Sequence, residues 1–334
     1  MINQKFTNKY ELDNILFYIY FVRHFLFICF LIPALAFANN SKSLDSLNQI
    51  YINAKDDSSK INALIALGDE FLDNDNEIAQ NYFQEALTLA KRGDDQKSLA
   101  ITLFYFAKSQ SKQGNNEEAI KTSLQCIKIL DSIKATTFLG EAYRKLGQMK
   151  HSQGAYSSAL HYANKALSIF EEKAQKYELA NTYNDIGNIF TEMGKTKEAI
   201  DYFYQSHNLF KELNFSRGIA GTLLNIAEIE KEYGNAEEAL SKHKKALSIF
   251  QKKGTLYDLA YTNRAIGYVY LFMDKYTDAE EYFLISLRIA NEMGSVTEKA
   301  KCIHGIGLIH KERKEYKRAI AEFEKAKKLG IKTK

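Results

Sequence analysis

Alanine recurs at Ala79, Ala119, Ala159, Ala199, Ala239, Ala279 and Ala319, seven times at a spacing of 40 residues without drift. A fixed period of this length means a chain built from tandem copies of one supersecondary unit, each too small to bury its own apolar face. Three further columns keep the same register. One holds a large apolar residue, Leu67 (one place out of register), Phe106, Leu146, Ile186, Ile226, Ile266 and Ile306. Each of these is followed by Gly or Ala, at Gly68, Ala107, Gly147, Gly187, Ala227, Gly267 and Gly307. A second runs through Leu89, Ile129, Ile169, Leu209, Ile249, Ile289 and Leu329, and a third is uniformly small: Ala86, Cys126, Ala166, Ser206, Ala246, Ser286 and Ala326. The stretch 165–170 reappears unchanged as 245–250, the mark of internal duplication.

Within a unit the apolar positions follow helical spacing on either side of a turn signal. In the fourth, Tyr183, Ile186 and Phe190 form one stripe, Gly194 and Lys195 interrupt it, and Ala199, Tyr202, Phe203, Ser206 and Leu209 form the next. The unit is therefore helix, turn, helix. Gly114, Gly154, Gly194 and Gly234 occupy the turn, where a residue at positive φ ends a helix. Asp274 and Lys314 replace glycine in the last two units, so those turns are expected to be less tightly set. The single proline, Pro33, leaves residues 34–334 free of the strongest helix breaker, which costs about 3 kcal/mol inside a helix. The small columns are expected where helices cross at close range. The fold predicted is all-α, a right-handed α-solenoid (superhelix) of seven helix-turn-helix units over 61–334, with a covering helix in 39–60 carrying Leu44, Leu47, Ile50 and Tyr51.

A large apolar residue followed by Gly or Ala, then the Ala, Phe and small residue of a second helix, resembles the tetratricopeptide repeat in a 40-residue form, longer than the common 34-residue unit. Similar long units occur in kinesin light chain, spindle-orientation adaptors and bacterial peptide-sensing regulators. The departures are Ser123, Ala163 and His243 where an aromatic is usual, Asn74 at the first turn, and the missing terminal proline of the unit. The resemblance implies that first helices line the concave face and that ligands bind there.

The N-terminus is a separate object. An unbroken apolar run at 25–37, preceded by Arg23 and His24 and closed by Ala34, Ala36 and Ala38, matches a signal peptide cleaved after Ala38. This predicts a periplasmic or secreted protein. The alternative is a membrane anchor, if 15–22 extends the run, and it is the only membrane contact expected. Ile28 before Cys29 is too bulky for lipoprotein processing. Removing 1–38 takes three basic and two acidic residues from 45 and 41, leaving 42 against 39, a net charge of +3. A chain so near neutrality lacks the basic excess that nucleic-acid binding draws on. Cys126 and Cys302, the two cysteines left, form no disulfide framework.

No phosphate loop, nucleophile elbow, paired acid or metal-ligand spacing occurs in a usable context, so no enzymatic activity, cofactor or metal is expected. His304 and His310 stand six apart, too far round a helix for a two-histidine metal face. The informative positions lie on the first helices, three before and one after the small residue. They place Arg144, Gln148, Asn184, Asn188, Arg264 and Tyr268 along one groove, with Asn225 one position from that register. Amides donate and accept, and so pair with the main chain of an extended peptide; Arg takes a carboxylate bidentately. The competing reading is a solvated face joined by bonds between repeats. The function expected is a protein- or peptide-binding scaffold. The alternative is the sensory ectodomain, or a truncated form, of a bacterial signalling protein such as a histidine kinase. Self-association through the last repeat is a further expectation, since the sequence shows no covering helix after it.

Overall fold

The computed structural model describes residues 44–73 and 75–331; the leader-like segment 1–38 and Asn74 lie outside them. Every regular element among the described residues is a helix. They divide into two compact blocks, one ending at Ala135 and one beginning at Thr136. The N-terminal block holds α1 (44–53) and two hairpins, α2 (Asp57–Phe71) with α3 (Asn76–Ala90) and α4 (Gln96–Lys112) with α5 (Asn116–Ser132). The C-terminal block holds five: α6 (Thr136–Ser152) with α7 (Tyr156–Glu172), α8 (Lys176–Glu192) with α9 (Thr196–Glu212), α10 (Ser216–Glu232) with α11 (Ala236–Lys253), α12 (Leu256–Phe272) with α13 (Tyr276–Glu292), and α14 (Val296–Glu312) with α15 (Tyr316–Ile331). No helix among the described residues is long and apolar enough to cross a membrane. In the N-terminal block, Tyr51 of α1 packs on the cluster of Ile61, Leu64 and Ile65 and donates to Glu85 Oε1 at 2.7 Å, while Ile50 stays exposed.

The seven alanines are buried, six of them completely. In the C-terminal block they pack on the next first helix: Ala159 clusters with Ile186 and Ile189, Ala199 with Ile226 and Ile229, Ala239 with Val269. The Leu/Ile column of the second helix is only half-buried, and the fully covered position is the one after it, at Leu130, Phe170, Phe210 and Phe250. In the uniformly small column, Ser206 Oγ donates to Ala180 O and Ser286 Oγ to Ala260 O, both at 2.7 Å. Cys126 Sγ reaches Ala100 O at 3.1 Å, and burial pushes its thiol up to about 12.

The glycine column has a more specific cause than the close backbone crossing expected. A Cβ added to Gly187 would stand 2.6 Å from Phe203 Cε1; at Gly267 and Gly307 it would stand 2.9 and 2.6 Å from Phe283 and Phe323. A ring on the second helix occupies the room that a side chain on the first would need. Only Gly147, whose partner at the ring position is Ala163, meets backbone instead, at 3.2 Å from Ala159 O. Where the first helix carries Ala107 or Ala227, the ring position holds Ser123 or His243.

Turns at Asp274 and Lys314 correct another expectation. Both residues take positive φ (58° and 62°), as Gly194 does at 71°. Asp274 N–H donates to Leu271 O and Lys275 N–H to Tyr270 O, at 3.1 and 2.9 Å, the bonds that Gly194 and Lys195 make to Thr191 and Phe190. Two closing bonds, joined at Asp274 by one from the Tyr276 hydroxyl, offset a left-handed cost of roughly 1–2 kcal/mol for a residue with a Cβ.

His243 is 1% exposed and neither ring nitrogen has a hydrogen-bond partner. Burial pushes its pKa down to about 4, with Glu228 opposing and Lys231 assisting. The unfolded chain, with an ordinary imidazole near 6.5, takes up the proton first. Stability from this site is thus full above about pH 6.5 and is lost as pH falls towards about 4, by roughly 3 kcal/mol in all. Urea unfolding across that range measures it. The double variant His243→Phe/Ala227→Gly, which copies the ring-on-glycine pair, is expected to lose this acid-side slope, whereas His243→Phe alone overpacks against the Ala227 methyl and is the less stable of the two.

Candidate functional site

In the C-terminal block the first helices α6 and α8 pack closely, as do α12 and α14, whereas α8, α10 and α12 approach one another less closely. A cavity of about 560 Å³ opens between these three. Its floor is α10, through Gly218, Gly221 and Leu224; Tyr177 and three asparagines come from α8, and Tyr257 and Tyr261 from α12.

Local sequence places these groups. The connection from α11 to α12 departs from the left-handed turn used at Ala174, Asn214 and Gly294. Gly254 is extended instead, at φ −90° and ψ 169°. Thr255 follows as N-cap in a capping box: its hydroxyl oxygen accepts from Asp258 N–H at 3.2 Å and its own N–H donates to Asp258 Oδ2 at 2.9 Å. The box fixes the first turn of α12, which carries Tyr257 and Asp258 at the cavity rim. Across the rim Arg217 reaches Asp258 at 3.4 Å.

The asparagines predicted from the sequence come together here. Asn184, Asn188 and Asn225 all line the cavity. Asn225 Nδ2 donates to Asn184 Oδ1 at 2.9 Å, tying α10 to α8 and leaving the Asn184 NH2 and the Asn225 carbonyl unbonded among the described residues. Asn188 makes no side-chain hydrogen bond among them.

The other four predicted residues serve contacts between repeats. Arg144 on α6 bridges to Glu178 at 3.2 Å and Asp185 at 3.3 Å on α8, and is 15% exposed. Gln148 donates to the same Asp185 oxygen at 2.8 Å, and the two residues line a much smaller cleft. Burial raises the Asp185 carboxyl above the usual range, with Arg144 and Gln148 opposing. Arg264 Nε donates to Glu298 Oε2 on α14 at 2.8 Å while its guanidinium lies 5.0 Å over the Tyr261 ring. Glu298 is 2% exposed; burial raises its pKa, but Lys301 and Arg264 outweigh that and hold it low. Tyr268 Oη donates to Lys301 O at 3.3 Å. The amide and arginine row is therefore divided: a structural ladder at both ends and an open stretch in the middle.

Sequence reasoning missed Tyr177, Asn181, Arg217, Gly221, Tyr257 and Tyr261. The signal was present. The stripe Asn184, Asn188 continues backwards at helical spacing to Asn181 and Tyr177, and the same registers give Gly221, Arg217, Tyr261 and Tyr257. Asp185, the hub of the α6–α8 contact, carries no such signal, because its role depends on which helix face α6 presents to it.

His310 pairs with Glu315 at 2.8 Å, His304 lies against Phe323, and no cluster among the described residues has the makings of a metal site.

Tetratricopeptide-repeat models match residues 178–252, 218–292 and 300–329, a span that contains the cavity's α10 and α12 and nearly all of α8. Among solved structures, the chain is similar to aspartyl phosphate phosphatase F from Bacillus subtilis, at 18% identity over 82% of this chain and 70% of that one, with a TM-score of 0.66. It is similar to a Rap protein complexed with Competence and Sporulation Factor, at 16% identity over 82% and 77%, TM-score 0.63. It also resembles BtubC from P. vanneervenii, at 21% identity over 67% and 92%, TM-score 0.56. These likenesses establish the tandem helix-turn-helix solenoid fold. No curated relative matches the sequence.

The ladder makes a stability prediction. Asp185→Ala strands Arg144 and Gln148 in a half-buried site and is expected to cost roughly 1–3 kcal/mol in urea unfolding; Asp185→Asn, which keeps an acceptor, costs less.

Proposed function

We propose that this tetratricopeptide-repeat chain is a binding scaffold, without catalytic activity, that holds a protein or extended peptide in the groove across α8, α10 and α12. The observation that carries the reading is the break in the inter-repeat ladder. Where α6 meets α8 and α12 meets α14, Arg144 pairs with Glu178 and Asp185, and Arg264 with Glu298, across the helices. Where the first helices stand apart, Asn188, the Asn184 NH2 and the Asn225 carbonyl face an open cavity. Such groups pair with a peptide main chain of any sequence. A protein of this fold, the Rap protein, is known in complex with a partner, Competence and Sporulation Factor, which supports the reading.

The test compares the wild-type chain with Asn184→Ala/Asn188→Ala as bait for partners. The variant loses the Asn225 bond and about 1 kcal/mol of stability, while Asn188→Ala alone stays within about 0.5 kcal/mol. A partner held by the wild type and released by both variants at unchanged helicity supports the groove. Full-strength binding by both sinks it.

The proposed compartment is the periplasm or the extracellular space, on the strength of the apolar run at 25–37 and the small residues Ala34, Ala36 and Ala38. Terminal sequencing of the protein from its source is expected to begin at Asn39; recovery of Met1 from membranes replaces secretion with anchoring.

A further inference from the structure

Gly221 is the one cavity residue with no packing reason to be glycine. A Cβ built on it meets no atom within 4 Å, whereas Gly187, Gly218 and Gly267 are each held to glycine by a phenylalanine ring. Glycine weakens a helix interior. At the same register the neighbouring repeats carry Asn181 and Tyr261, so the helix tolerates large side chains there. What Gly221 contributes is vacant space in the cavity lining.

The surroundings of that space are aromatic on two sides. From the α8 side, Tyr177 stands edge-on to Phe215 with centroids 5.3 Å apart. From the α12 side, Tyr257 stacks with Tyr261 at 6.4 Å. Tyr177 and Tyr257 are 46% and 49% exposed, two large rings left uncovered at the mouth of one cavity. The charged lining residues, Arg217 and Asp258, cancel each other across 3.4 Å, so the cavity has no net charge with which to recruit a phosphate or carboxylate. Aromatic pairs gain from edge-to-face and offset contacts beyond the area they bury, which favours a ring over an aliphatic side chain between such walls.

Resting on the binding reading above, we propose that the cavity over Gly221 is a specificity pocket for an uncharged aromatic side chain of an extended peptide, whose main chain pairs with Asn184, Asn188 and Asn225. Gly221 is then a specificity-determining residue: its missing side chain makes the room, Tyr177 and Tyr257 flank the cavity that takes the ring, and the amides fix the register of the segment on either side.

The experiment uses the full chain and random heptapeptides displayed on phage. Enriched peptides are synthesised, and their affinities measured by fluorescence anisotropy against wild type, Gly221→Ala, Gly221→Tyr and Asn184→Ala/Asn188→Ala. Gly221→Tyr copies the residue that the next repeat carries at this register, and both Gly221 variants are expected to melt at or above the wild-type temperature. The expected result is a shared Phe, Tyr or Trp at one peptide position. Replacing it by alanine, or introducing Gly221→Tyr, weakens binding by about tenfold or more, with a smaller loss for Gly221→Ala. Enriched peptides without an aromatic position, or with charged residues in its place, overturn the pocket. Peptides that ignore Gly221→Tyr but are lost by the asparagine pair overturn the pocket and leave the groove standing. Peptides indifferent to every variant, or no enrichment at all, overturn both.

Discussion

A phenylalanine ring set against a glycine on the facing helix is the contact from which four of the seven hairpins take their geometry. Phe203 over Gly187, Phe283 over Gly267 and Phe323 over Gly307 leave no room for a Cβ, so the distance and rotation between the two helices follow from the ring. With the pair set, the alanine one turn earlier on the second helix is brought against the first helix of the next hairpin, as Ala199 is against Ile226 and Ile229. Where both are present, a ring inside the hairpin and an alanine between hairpins define the repeat as one object. Dispersion and area burial then add along the stack as nearest-neighbour terms.

The same dependence explains where the array deviates. At repeat five the ring position holds His243 and the glycine has become Ala227, so an imidazole with two unpaired nitrogens takes the place of a phenyl group. Burial keeps it neutral. That hairpin, α10 with α11, is the one whose first helix forms the cavity floor and whose exit turn at Gly254 is extended rather than left-handed. In repeat five departures in core, turn and groove coincide, while repeat four keeps both the ring pair and the left-handed exit at Asn214.

Polar chemistry on the first helices is sorted by spacing. Where helices stand close, a guanidinium or amide reaches the neighbouring carboxylate and the pair is consumed by the fold, as with Arg144 and Asp185 or Arg264 and Glu298. Where they stand further apart, Asn184 meets only the Asn225 amide of α10, and Asn188 finds no partner among the described residues. Asn188 and Gln148 are equivalent by sequence position, yet only Gln148 has a carboxylate to bond.

The sequence by itself determined the repeat: seven alanines at one spacing, glycine beside a large apolar residue, and a turn after each stripe admit no other period and no other element type. It also carried the asparagines of the groove, because position within a helical unit decides which face a residue occupies. The ring behind Gly187, Gly267 and Gly307, the left-handed turns closed at Asp274 and Lys314 without glycine, and the division of Arg144, Gln148 and Arg264 from Asn184, Asn188 and Asn225 were decided only by the tertiary structure. A periodic sequence states which residues share a face; whether two of them meet depends on the gap between helices, and that gap is set by side chains on other helices, outside the register of the residues concerned.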